Sequence, residues 1–193
     1  MSDRLPWVPI VETITTTINP DGTVNCAAMG VEWGDDVIVI KPFLSTRTLR
    51  NLRATRAAVV NLTDDILLFT QAALSDPQPP TRRAAAIDGA VLADACSWRE
   101  VTVAAIDDGG PRARVTTHVA ARGTGREFLG FNRARHAVLE ASIIASRARL
   151  LPAAEIGAEL ERLQVLVDKT AGPREHEAME LVRRHVHAAV GSG

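Results

Sequence analysis

The sequence predicts an α+β protein: a β-barrel or sandwich over the first two thirds, then a helical hairpin or small bundle. Three observations carry that expectation. Short β-type segments recur up to about residue 122, separated by clusters of Asn, Asp, Gly and Pro. From residue 130 onward, apolar residues return at three- and four-residue steps, the period of a helix face. The change of character falls near residue 123, so the expected division is 1–125 and 126–193.

Taken in order, "IVETITTTI" (10–18) is rich in β-branched residues, which suit a pleated surface. Asn19-Pro20-Asp21-Gly22 then supplies a strong turn: proline presets φ, and glycine accepts positive φ. "TVNCAAMGVEW" (23–33) and "DVIVIKPF" (36–43) are the next strands, joined at Gly34-Asp35-Asp36. A helix is expected over 47–56, with Leu49 and Leu52 toward the core. "AAVVNL" (57–62) and "ILLFTQAAL" (66–74) read as strands flanking a turn at Asp64-Asp65, and "SDPQPPTRR" (75–83) as a polar, proline-rich loop. "SWREVTVAAID" (97–107) and "RARVTTHVAAR" (112–122) flank Asp108-Gly109-Gly110-Pro111.

Three helices follow. Asn132 is placed to cap the first, whose stripe is Ala134, Val138, Ala141, Ala145 and Ala148. The second starts near Ala153, buries Ile156, Leu160, Leu163 and Val167, and stops before Ala171-Gly172-Pro173. The third runs from Pro173 to about Val190, with Ala178, Leu181, Val182, His185 and Ala189 on one stripe.

Bulk composition narrows the function classes. The 193 residues are 46% hydrophobic and 23% charged, ordinary for a globular chain, and the net charge is −1. That balance gives no long-range field to attract nucleic acid or an anionic membrane, so a general nucleic-acid binder is disfavoured. No apolar run approaches the ~20 residues of a membrane span, and "MSDRLPWVPIVE" does not read as a signal peptide. Cys26 and Cys96 lack zinc spacing and read as reduced thiols of a cytoplasmic protein.

Two stretches carry most of the chemistry. After Asn25 come Cys26, Ala27, Ala28 and Gly30, where a strand would normally hold bulky branched residues. Short side chains there leave room for the rings of a flat ligand, whose polar edge would meet backbone groups. Tight packing under a helix favours the same residues. Ser45, Thr46 and Thr48 cluster where a strand ends and a helix begins, with Arg47 and Arg50 alongside. A helix N-terminus offers unpaired N–H groups and partial positive charge, so this cluster suits a phosphate. A simple N-cap explains it as well. No Gly-rich loop is present, which favours a mononucleotide over a nucleoside triphosphate.

The remaining polar residues point less sharply. Asn61 and Thr70 end apolar runs and would line a pocket or merely terminate strands. Asp64-Asp65 makes a poor metal site, and His185 and His187 point about 200° apart on a helix, which excludes a shared metal. His118 faces a pocket or solvent. Arg133, His136, Glu140 and Arg147 form a polar line beside an apolar stripe, read as an internal salt-bridge network or a reach toward a ligand. No Ser–His–Asp or Cys–His constellation is evident, so no catalytic side chain is assigned and covalent hydrolysis is disfavoured.

"ETITTTINPDGTVNCAAMGV", "KPFLSTRTLRNL", "VVNLTDD", "FNRARHAVLEASIIASR" and "LVDKTAGPREHEAMEL", in that order, resemble an uncharacterised FMN-binding split-barrel family of methanogens and tetrahydromethanopterin-using bacteria. At Cys26-Ala27-Ala28-Met29 the chain departs from relatives that often carry a proline before the methionine. The resemblance implies a Greek-key split barrel of about six strands, like those of flavin reductases and pyridoxamine-phosphate oxidases, with a C-terminal helical addition. It also implies a homodimer with FMN in the groove between subunits. The FMN phosphate would sit by Ser45, Thr46, Arg47 and Thr48, and the isoalloxazine edge by Asn25, Cys26, Ala27 and Ala28, with Asn61 and Thr70 as further pocket residues. The activity implied is flavin-dependent hydride or electron transfer, in the company of tetrahydromethanopterin one-carbon chemistry. A non-catalytic flavin carrier or sensor is the alternative.

Overall fold

The threonine-rich segment Ile10–Ile18 forms β1 and folds back onto β2 (Val24–Trp33), pairing Thr17 with Asn25, Thr15 with Ala27 and Thr13 with Met29. The turn between them is closed from within, the Asp21 carboxylate accepting from the Thr23 N–H at 3.0 Å and the Gly22 N–H donating to the Asn19 carbonyl at 2.9 Å. In the computed structural model, which describes residues 8–190, β3 (Val37–Ile40), α1 (Arg47–Thr55) and β4 (Ala57–Leu62) come next. They are followed by α2 (Ile66–Leu74), β5 (Thr81–Arg83), β6 (Ala90–Leu92), β7 (Ser97–Asp107) and β8 (Arg114–Thr124). The chain then continues through α3 (Arg133–Ala145), a short 3₁₀ turn (Ala148–Leu150), α4 (Ala153–Thr170) and α5 (Pro173–Val190).

Six of these strands close an antiparallel barrel in the order β1-β2-β3-β8-β7-β4, with β5 and β6 as a separate two-stranded ribbon. Closure pairs most of the sheet edges that would otherwise invite aggregation, although β3 pairs with only three residues of β2. The register that pairs Ile38 with Thr117, Ala58 with Val101 and Thr15 with Val60 turns one face of every strand inward. Val31, Ile38, Ile40, Val60, Val101 and Val115 fill that interior, and α1 adds Leu49 and Leu52, both fully buried. Each such side chain contributes roughly 1.5–3 kcal/mol of burial. Two irregularities, at Glu100/Val101 and Val103/Ala105, let the long β7 bend with the barrel.

The chain divides into two compact units: residues up to Thr63 with Gln78–Arg126, and Asp64–Pro77 with residues from Glu127 onward. The second unit is helical. It buries the stripes expected of α3 and α4, namely Ala134, Val138, Ala141 and Ala145, then Ile156, Leu160, Leu163 and Val167. On α5 the buried set is Glu175, Ala178, Met179 and Val182, whereas Leu181, His185 and Ala189 are only half-buried.

Segment 66–74, expected as a strand, is a helix. Asp65 caps it, its carboxylate accepting from the Leu68 N–H at 3.1 Å. A nine-residue run this apolar carries no readable period, so helix and strand look alike in sequence. The loop expected over 75–83 instead ends in β5, and β6 had no counterpart among the expected strands. Each is only three residues long, too short for alternation to register.

Candidate functional site

Strand β2 has ten residues, and its two edges are unequally used. Along β1 the pairing is continuous from Val24 to Glu32, whereas β3 pairs only with Val31, Glu32 and Trp33. The Trp33 N–H donates to the Pro9 carbonyl at 2.8 Å and the Thr13 hydroxyl to the Met29 carbonyl at 3.1 Å, so odd-numbered residues aim their backbone polar groups toward β1. Ala28 therefore presents its N–H and C=O to the opposite edge, where no strand lies among the described residues. The beginning of that edge is covered by Gln78, whose amide donates to the Val24 carbonyl at 3.2 Å.

Along this open edge Ala27, Ala28, Met29 and Gly30 are half-buried, while Asn25 and Cys26 are buried. Gly30 has an internal reason to be small: a Cβ there would lie 2.7 Å from the Ile10 side chain and 2.8 Å from the Glu12 carboxylate. Tight packing thus accounts for Gly30. The open backbone is at Ala28.

Asn25 ties this strand to the start of α1. Its side-chain amide donates to the hydroxyls of Thr17 and Thr48, each at 3.1 Å. The Asn51 amide donates to Thr17 at 3.0 Å and to the Asn19 carbonyl oxygen of the side chain at 2.8 Å. A neutral polar network therefore joins β1, β2 and α1, and it brings together the two stretches singled out from sequence. Thr46 is the N-cap: its hydroxyl accepts from the Leu49 N–H at 3.3 Å and donates to the Phe43 carbonyl at 2.8 Å. The Arg50 N–H finds the Thr46 carbonyl, and the Arg50 guanidinium donates to the Ser45 carbonyl at 3.1 Å. The mouth of α1 keeps the Thr48 N–H without an intrahelical partner. Ser45 and Arg47 stand exposed beside it.

Two expected pocket residues are occupied elsewhere. Asn61 is fully buried; its amide donates to the carbonyls of Ile14 (3.0 Å) and Val59 (3.2 Å), and its oxygen accepts from the Leu92 N–H at 3.0 Å. It stitches β1, β4 and β6. Thr70 lies in the helical unit, fully buried, donating to the Ile66 carbonyl at 2.8 Å and sharing a hydrogen with Ser142 at 2.9 Å. Both are spent on internal structure.

The polar line Arg133, His136, Glu140 and Arg147 is exposed and forms no ion-pair network among the described residues; His136 packs on Phe131 instead. Arg135 is the helix's real electrostatic centre. It donates to Asp64 and Glu175, both at 2.9 Å, with those two carboxylates nearly buried. Burial pushes the Glu175 carboxyl up, but the Arg135 guanidinium and the Gly172 N–H prevail and hold it below the usual range. Asp64-Asp65 is therefore more than a turn: Asp64 receives Arg135, and Asp65 caps α2 while pairing with Arg174. In the barrel unit Glu100 plays a similar part. Burial raises its pKa, and N–H groups of Ala85 and Ala86 with the Trp98 indole lower it and win. His118 points to solvent, exposed on β8. Among the described residues no cluster of His, Cys, Asp or Glu is arranged to hold a metal, and no helix is long and apolar enough to cross a membrane.

A six-stranded antiparallel barrel with one strand edge open beside a helix N-terminus defines a split-barrel class. The chain belongs to the DUF447 family: the model described as "Protein of unknown function (DUF447) N-terminal domain" matches residues 11–125, and "Protein of unknown function (DUF447)" matches 132–184. Comparison with curated proteins returns no match. Among solved structures, an FMN-bound DUF447 protein of Methanosarcina mazei superposes with a TM-score of 0.81 at 22% identity, over 93% of this chain and 96% of that one. An FMN-binding protein of Thermus thermophilus gives 0.53 at 11% identity, over 67% and 79% of the two chains. The styrene monooxygenase flavin reductase of Pseudomonas putida S12 gives 0.52 at 17%, over 60% and 80%. The likeness to the first spans the barrel and the helices; the other two match about two thirds of the chain.

Proposed function

We propose that this protein binds FMN along the open edge of β2, with the phosphate at the mouth of α1, and uses it for hydride or electron transfer. One observation carries the reading most directly: the unpaired backbone of Ala28 and the α1 N-terminus are joined through the Asn25–Thr48 hydrogen bond of 3.1 Å. A flavin ring has a polar edge of donors and acceptors, which an unpaired strand backbone matches, and its phosphate suits a helix N-terminus. Ser45, Arg47 and the Thr48 N–H would hold that phosphate, with Thr46 shaping the turn as the N-cap. The near full-length likeness to an FMN-bound family member supports the same reading. Asn61 and Thr70 fall outside it, because their polar groups are committed within the chain.

FMN, when bound, would supply the redox chemistry; the chain's own residues bind and orient it. A homodimer belongs to the proposal. Ile10, Phe43 and Leu44 of the barrel unit are exposed apolar residues that a second copy would cover. A pterin as the reacting partner, in tetrahydromethanopterin-linked chemistry, rests on the family resemblance.

The test is direct. Purified protein should carry or take up FMN, and NADH or NADPH should reduce the bound flavin faster than free FMN. Tight FMN that no nicotinamide reduces would favour the carrier reading. Ala27→Leu should weaken FMN binding tenfold or more with the circular dichroism spectrum unchanged, since about 1.4 kcal/mol is a factor of ten. Retained affinity would return the small residues of β2 to a packing role.

A further inference from the structure

Outside the flavin reading, the helical unit holds a cavity of about 440 Å³ lined by Ala145, Ala148, Arg147, Arg149, His185 and Ala189 among others. That volume lies within the range of ligand pockets, ~300–1,000 Å³. None of the lining residues is acidic. The Arg147 and Arg149 side chains are exposed and make no ion pair or hydrogen bond among the described residues. Cations near a helix C-terminus commonly serve its free carbonyls. Here that duty is already discharged by backbone: the Ser146 N–H meets the Ser142 carbonyl at 2.9 Å, and the Arg147 N–H meets the Ile144 carbonyl at 3.0 Å.

We infer that this cavity binds a small amphipathic organic anion, a phosphate monoester or carboxylate on a compact apolar body. The two guanidinium groups offer the planar, bidentate donors such an anion takes. Ala145 and Ala148, both buried, give the apolar body an aliphatic surface to lie against. His185, half-buried on the wall, adds a further ring donor or acceptor. The site is distinct from the β2–α1 region and stands or falls separately from the flavin proposal.

Calorimetric titration of the full chain with 1-naphthyl phosphate tests it, with 1-naphthol and inorganic phosphate as partial probes. Saturable binding is expected, tighter than to either partial probe. The double substitution Arg147→Gln with Arg149→Gln should weaken it tenfold or more, and Ala189→Trp, which fills the cavity from α5, should do the same. FMN affinity, measured on the same variants, should not move. If wild type fails to bind the probe at about 1 mM, or both variants bind as wild type does, the inference is overturned. Loss of FMN binding in wild type would instead sink the flavin proposal and leave this one standing.

Discussion

Two of the protein's polar networks, one from each unit, are built from opposite materials. Around β1, β2 and α1 the groups are neutral: Thr17, Asn25, Thr48 and Asn51, exchanging amide and hydroxyl hydrogen bonds of 3.0 to 3.1 Å. In the helical unit they are charged: Arg135 clamped between Asp64 and Glu175, with Arg174 on Asp65. Neutral amides cost less to desolvate than charges and can exchange partners. A guanidinium between two nearly buried carboxylates cannot be rearranged cheaply, because any vacancy leaves charge unpaired in low dielectric. The first network joins β1, β2 and α1; the second locks helices.

The largest expected effect follows from breaking the lock. Arg135→Ala should destabilise the helical unit by about 3 kcal/mol or more, since it strands Asp64 and Glu175 together. Urea unfolding followed by far-UV circular dichroism measures it; a loss below about 1 kcal/mol would show the charges are already solvated. Asn51→Ala, on the neutral side, removes bonds to Thr17 and Asn19 and should cost about 1–2 kcal/mol in the barrel unit by the same measurement. Equal effects of the two substitutions would erase the contrast.

Acid provides a finer division. Glu175 titrates below its unfolded value of about 4.3, so its stabilisation is complete above that pH. It is lost as pH falls from there through the lower folded value. The β1–β2–α1 network contains no ionisable group and should not respond in that window. Acid titration of the wild type and of Arg135→Ala should show the wild type losing helical stability more steeply. Parallel curves would contradict the assignment.

Much of the barrel was legible because its strands are long and its turns carry Asn, Asp, Gly or Pro, as at Asn19-Pro20-Asp21-Gly22. The α3 and α4 stripes were legible for the same reason, a period sustained over several turns. The helix α2 was not, although Asp65 three residues ahead of Leu68 was an available capping signal. For Asn61 and Thr70 the sequence leaves two roles open, because a polar residue ending an apolar run looks alike whether it faces a pocket or bonds within the chain as these two do. Only register decides, and register is not local. Arg135 went unnoticed because its partners lie 71 and 40 residues away. The one sequence trace of that network is Gly172-Pro173-Arg174-Glu175, in which Glu175 reaches back to the Gly172 N–H at 2.9 Å as in a capping box.

Trp98 closes against Gly123, where a Cβ would come within 1.9 Å of the indole, and its ring nitrogen donates to Glu100 at 3.3 Å. The chain has three tryptophans, Trp7, Trp33 and Trp98, and no tyrosine, so segments 64–77 and 127–193 contain neither. Intrinsic emission is thereby a private channel to the rest of the protein, blind to α2, α3, α4 and α5, so that part can be watched melting by itself without a label.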